Sequence, residues 1–227
     1  IEALPVNGYV DKAVTTILGG GGPDILAVDV TQMGTLVDKN LLQPWDDQIK
    51  DMDLSDFAAV IEGGKFDGVY YGLPYRTSSS IMYYNKTMFD EAGVPYPEAG
   101  WTYDDMLEIA KKLTIPGEQY GVGIGASNAD PSNVFLTLSP VIWSYGGDYL
   151  NEDQTECTLN TPEAIEGIRY WTGLYTTEKV APEGAVNYTM TKDIMPLFIE
   201  NKVALMMGGD QNAVEFDTNY PDLNYGY

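Results

Sequence analysis

The sequence predicts an α/β fold, and three observations carry that expectation. Near the start, a helix-periodic segment, a run of glycines and a short apolar strand follow one another, the succession from which α/β sheets are built. Capped amphipathic helices then alternate with short apolar or glycine-rich segments along the rest of the chain. At 44% hydrophobic and 12% aromatic residues, the chain also has enough apolar material to bury a core.

Taken in order, Val10, Ala13, Val14, Ile17 and Leu18 fall at helical spacing, and Gly19 to Gly22 stop that helix. "PDILAVDV" reads as a strand of the continuous apolar kind that a parallel sheet buries on both faces. A second helix is expected over Met33, Leu36 and Val37, then the turn "NLLQPWDD". A third, near Leu54 to Glu62, ends at Gly63-Gly64. "KFDGVYYGLPY" is a hairpin turned at Asp67-Gly68, a pair suited to positive φ.

"NKTMFDEAGVPYP" is a short helix stopped by Gly93. In "GWTYDDMLEIAKKLT", Thr102 stands at the N-cap and Asp105 at the third helical position, a capping box with Asp where Glu or Gln is usual. Trp101 and Met106 are spaced as a hydrophobic staple, with Asp104 and Asp105 first and Lys111 and Lys112 last, as the helix dipole favours. "QYGVGIGA" is a glycine-rich strand, and "PSNVFLTLSPVIWSYGGDYL" is a mostly buried helix ending at Gly146-Gly147. Thr161 and Pro162 open another helix. "DIMPLFIENKVALMMGGDQNAVEF" gives helix, tight turn, apolar strand, glycine pair and new helix.

Charge and composition close off several functions. With 12 basic and 34 acidic residues the net charge is −22, which repels phosphate backbones and anionic membranes, so no nucleic-acid partner is expected. The chain has no histidine and one cysteine, Cys157, which removes intramolecular disulfides, Cys/His zinc sites and imidazole-based catalysis. No apolar run reaches the ~20 residues of a membrane span, and no signal peptide is visible. "IEALPVNGY" reads as a mature or trimmed start.

One stretch does not fit a single core. "DGVYYGLPYRTSSSIMYYNK" joins two apolar, aromatic segments through Pro74, Tyr75, Arg76 and four consecutive hydroxyl residues. It reads as a strand that leaves one core, crosses water and enters a second core with Ile81, Met82 and Tyr84. This is the one candidate boundary, dividing residues 1–77 from 78–227.

With the elements in that order, "GPDILAVD", "NLLQPWDD", "YYGLPYRTSSSIMYYNKTMFDEAGVPYP", "WTYDDMLEIAKKLT", "YGGDYLNEDQTECTLNTPEAIEGIRYW" and "LFIENKVALMMGG" resemble the solute-binding proteins of ABC importers. The closest likeness is to the sugar-binding family that includes maltose-binding protein. The resemblance implies a two-lobed, periplasmic-binding-protein-like fold of type II, with ligand held in the cleft between hinged lobes. It implies a first lobe, 1–77, that is incomplete, and a nearly complete second lobe, 78–227. The piece is thus expected to be a fragment, its first lobe ordered only when neighbours or another chain cover it. The implied partners are a mono- or oligosaccharide and ABC permease subunits. No cofactor is implied, and the place of work is extracytoplasmic, periplasmic or lipid-anchored.

Sugars are held by aromatic faces over their C–H patches and by polar side chains on their hydroxyls. On that basis Asp29 is a candidate at the end of its strand, with helix capping as the alternative. Tyr75 and Arg76, with Thr77 and Ser78, are candidates on the crossing, the alternative being a hinge tyrosine and a salt-bridged arginine. Trp143 and Tyr145 near a helix end are candidates, although aromatics at helical spacing are more often core, and Tyr188 is one as an exposed ring in an irregular segment. Gly209, Asp210 and Gln211 complete the set, at a turn where the resembling family often has a stacking Trp. That departure points to a smaller or more polar ligand than a stacked maltose-like chain.

Three other readings stay open at this level. A glycosidase needs two carboxylates at a set separation, and no motif singles out a pair. A polyamine would suit the net charge, but the acids are scattered. "NEDQTECTLN" lacks the register of a calcium loop and reads as a solvated turn.

Overall fold

The computed structural model describes residues 8–129 and 131–227. The opening "IEALPVN" lies outside the described residues. The chain divides into two compact units, 1–77 and 78–227.

In the first unit, α1 (Tyr9–Leu18) and α2 (Val30–Asp38) lead to a single turn, α3 (Asp46–Ile49). A 3₁₀ helix, Ser55–Gly64, follows, and then the hairpin β1 (Lys65–Phe66) and β2 (Val69–Tyr70). The hairpin turns on Asp67 at φ 49° and Gly68 at φ 82°, the left-handed pair that matches strand twist. The Trp45 N–H donates to the Tyr70 carbonyl at 2.7 Å, and Tyr70 N–H to Asp46 at 3.2 Å, so the hairpin is tied to α3. Met33, Leu36, Ile49 and Ile61 are buried.

Two expectations are corrected in this unit. "PDILAVDV" forms no strand, and Ile25 is 77% exposed. A strand persists only where a neighbour takes up its backbone N–H and C=O groups, and no described strand lies beside it. The segment 55–64 is wound more tightly than an α-helix. Its start is tied by the Asp53 side chain accepting from Ser55 N–H at 3.0 Å, its end by Tyr71 N–H donating to the Gly64 carbonyl at 2.9 Å.

The second unit is built on a four-stranded sheet in the order β4-β5-β3-β6. Its strands are β3 (Ser80–Asn85), β4 (Tyr120–Gly123), β5 (Val203–Gly209) and β6 (Tyr225–Gly226). β4 runs parallel to β5, whereas β3 is antiparallel to both β5 and β6, so the sheet is mixed. Its helices are α4 (Lys86–Ala92), α5 (Tyr103–Leu113), α6 (Pro131–Ser144), α7 (Pro162–Thr176), α8 (Met195–Ile199) and α9 (Gln211–Asn219).

Both faces of the sheet are covered, and the period of two along β3 shows how. Met82 and Tyr84, with Leu205 opposite Tyr84, face a core that includes Met88, Phe89, Met106, Leu113 and Trp171. Tyr83 and Met206, paired across the ladder, face Ile194, Phe198 and Phe216. The sequence reading named Ile81, Met82 and Tyr84, yet Tyr83 between them is the fully buried member. The capping box at Thr102 and Asp105 is present in full, and Thr161 caps α7 with Pro162 in its first turn. The helix expected to be mostly buried, α6, buries Thr137, Ser139, Val141 and Ile142 and exposes Phe135, Leu136 and Trp143. No helix among the described residues is long and apolar enough to cross a membrane.

Candidate functional site

A pocket of about 120 Å3 opens in the second unit where β5 ends, β3 begins and α9 starts. Ser78, Ser79 and Ser80 form one wall, Asn133 and Leu136 of α6 another, and Gly209, Gln211 and Asn212 a third. Its floor is methionine: Met190, Met195, Met206 and Met207. Hydroxyl and amide groups over a soft apolar floor give directional pairing above and adaptable contact below. No charged side chain is among the lining residues.

The glycine pair at the end of β5 is what makes room for these amides. A Cβ on Gly208 would stand 2.5 Å from the Asn212 oxygen, and one on Gly209 would lie 2.2 Å from the Gln211 oxygen. Any larger residue would push those side chains away from the strand end.

Asp210, the residue before α9, does not cap it through its side chain. Its carboxylate accepts instead from Ser78 Oγ at 2.6 Å. Gln211 Oε1 lies 3.2 Å from the same hydroxyl, whose one proton goes to the shorter, charge-assisted contact. The missing cap is supplied from the sheet. Tyr83 Oη accepts from Ala213 N–H at 3.2 Å and donates to the Gly209 carbonyl at 2.8 Å, clamping the turn on both sides. Burial holds the Tyr83 hydroxyl above its ordinary pKa.

The sequence-selected residues divide among several places. Gly209 and Gln211 line the pocket, and Asp210 reaches it through Ser78. Asp29 is the N-cap of α2, accepting from Thr31 N–H at 2.9 Å and Thr31 Oγ1 at 2.6 Å. Tyr75, Arg76 and Thr77 are exposed at the end of the first unit. Trp143 is half-exposed on α6, outside the pocket, and its Nε1 donates to Asp148 at 3.1 Å. Tyr145 lines a wider neighbouring groove with Met82, Trp101, Tyr103 and Met207. Tyr188 is not the exposed ring expected: it is half-buried against Gly184, where glycine leaves a slot for the ring.

Sequence reasoning missed Tyr83, Asn133, Asn212 and the methionine floor. A period-of-two count along "SIMYYN" against "VALMMGG" places Tyr83 and Met206 on one face and was the available signal for those two. Asn133 and Asn212 carried none, since they reach the pocket only through the packing of α6 and α9. Among the described residues no group of His, Cys, Asp and Glu side chains is placed to hold a metal.

The second unit is a helix-covered mixed α/β sheet whose pocket lies at a strand's carboxyl end, the edge where open α/β sheets commonly place ligands. Residues 1–227 match the model of the bacterial extracellular solute-binding proteins, and the chain belongs to that family. It is 29% identical over 227 residues to a binding protein of Brucella abortus, covering 99% of this chain and 53% of that one. To the maltotriose-binding protein of Pyrococcus abyssi it is 29% identical over 197 residues, 85% of this chain and 39% of the other. An ABC substrate-binding protein of Listeria monocytogenes, solved with cycloalternan, superposes with a TM-score of 0.83 at 30% identity, covering 99% of this chain and 56% of that one. The two-lobed fold of these proteins is the fold class of this chain. The chain spans about half the length of the curated relatives it matches first.

Proposed function

We propose that this protein is the receptor of an ABC importer, capturing a neutral carbohydrate outside the cytoplasm and delivering it to a membrane permease. The observation that carries this is the uncharged wall of serine, asparagine and glutamine groups over a methionine floor at the end of β5. Such a wall pairs with hydroxyls and offers no cation to a phosphate or carboxylate. Gly209, Asp210 and Gln211 are the contacts proposed for this pocket. Maltotriose is the ligand named for the Pyrococcus relative, which supports a saccharide here. Membership in a family of extracellular solute-binding proteins supports the compartment, with lipid anchoring a further part of the proposal. Hinge closure on ligand is the step by which the permease would sense loading.

The test is thermal stability of the full protein against neutral mono- and oligosaccharides, polyamines and glycerol phosphates. Ligand that binds only the native state raises the midpoint. A saccharide is expected to raise it, and Gln211→Ala to weaken that saccharide by about tenfold as its paired hydroxyl loses a partner. A shift produced by polyamines or phosphates alone, or saccharide consumed rather than retained, would overturn the proposal.

A further inference from the structure

We propose a second saccharide-binding surface, an aromatic ridge of Phe135, Trp143 and Tyr149 that continues the pocket outward along α6. This inference rests on the carbohydrate reading of the pocket.

Phe135 is 41% exposed, Leu136 48% and Trp143 49%, so these residues present a contiguous apolar strip rather than scattered side chains. The Phe135 and Trp143 ring centroids are 6.3 Å apart, and those of Phe135 and Tyr149 5.3 Å. Leu136 lines the pocket. Trp143 lies seven residues further along α6, two turns on the same face and about 10 Å along its axis. The strip therefore starts at the pocket wall and leads away from it.

The rings are held in place before any ligand arrives. Trp143 Nε1 donates to Asp148 at 3.1 Å, and Tyr149 Oη is hydrogen-bonded to Ser139 Oγ at 3.0 Å. The Tyr149 N–H donates to the same Asp148 carboxylate at 2.7 Å, fixing the loop that carries the ring. Pre-set rings lose little freedom on binding. Apolar faces bordered by a carboxylate and hydroxyls match the two sides of a sugar ring, its C–H patch and its hydroxyl edge. The pocket lining holds no aromatic ring. The ridge supplies aromatic faces one step outside it, so the ligand is a saccharide of several residues, its end in the pocket and its next residues on α6.

The experiment is a calorimetric titration of the full protein with a ladder of neutral saccharides of one sugar, from the monomer to the hexamer. Affinity is expected to rise with length up to the trimer or tetramer in the native protein. Trp143→Ala should cut the affinity of the longer members about five- to tenfold, leaving the monomer within twofold, with Trp143→Phe restoring most of it. Long saccharides should also shift a fluorescence component that is absent from Trp143→Phe. Gln211→Ala is the comparator, weakening every length alike. Length-independent affinity, or Trp143→Ala matching the native protein at all lengths, overturns the ridge while leaving the pocket. If Trp143→Ala alters only transport by the assembled importer, the ridge is a permease contact and the proposal falls. If no saccharide binds, both readings fall together.

Discussion

Asn85 is fully buried, and each of its polar atoms is in use. Its Oδ1 accepts from Met88 N–H at 3.1 Å, capping α4, while its Nδ2 donates to the Phe198 carbonyl at 3.0 Å and to Asn201 at 2.7 Å. One side chain thus ends β3, starts α4 and holds the turn after α8. Asn85→Ala removes the cap and leaves the buried Met88 N–H without its acceptor. The expected cost is about 3 kcal/mol, read as a lower urea midpoint for the second unit. An unchanged midpoint would show that water replaces the amide. At the same scale, Asp29 caps α2 by accepting from the Thr31 N–H and hydroxyl, a role an Asp ahead of a helix can fill from local sequence alone.

At the scale of elements, α5 is where local sequence governs most fully. Its Thr102 Oγ1 accepts from Asp105 N–H at 3.2 Å, and the Asp105 carboxylate accepts from Thr102 N–H at 2.8 Å. Hydrogen bonds from the Thr102 hydroxyl and then its backbone hold the Asp105 carboxyl below the usual aspartate pKa, against a smaller opposing effect of burial. A depressed folded pKa stabilises above the unfolded value and is lost as pH falls through the folded one. The helix should therefore lose this support below about pH 4. Thr102→Ala should lower stability at neutral pH by about 1 kcal/mol and lose less than the native protein on acidification, as followed by circular dichroism. An equal acid loss in both would contradict the linkage. The failed strand at "PDILAVDV" marks the other extreme, because a strand's bonds go to a partner that local sequence does not contain.

At the scale of the whole molecule, the division into two compact units falls between Thr77 and Ser78. Tyr75 is 80% exposed, and the backbone from Tyr75 to Ser79 has no helix or strand. Trypsin is expected to cut first after Arg76, leaving a resistant product that begins at Thr77, identified by mass. Early cutting at lysines inside the second unit, with Arg76 spared, would refute an independently folded 78–227.

What the chain's order of residues settled alone was local: the caps at Thr102 and Thr161, the Asp67-Gly68 turn and the stop at Gly93. Each depends on neighbours within a few positions, so periodicity and turn chemistry suffice to read it. The pocket was decided only in three dimensions. Ser78 meets Asp210 across 132 positions, and Tyr83 caps a helix 130 positions away. Such pairs exist because β3 and β5 lie side by side with Ser80 opposite Gly209, a register set by how the two covered faces pack, which no short window of sequence contains.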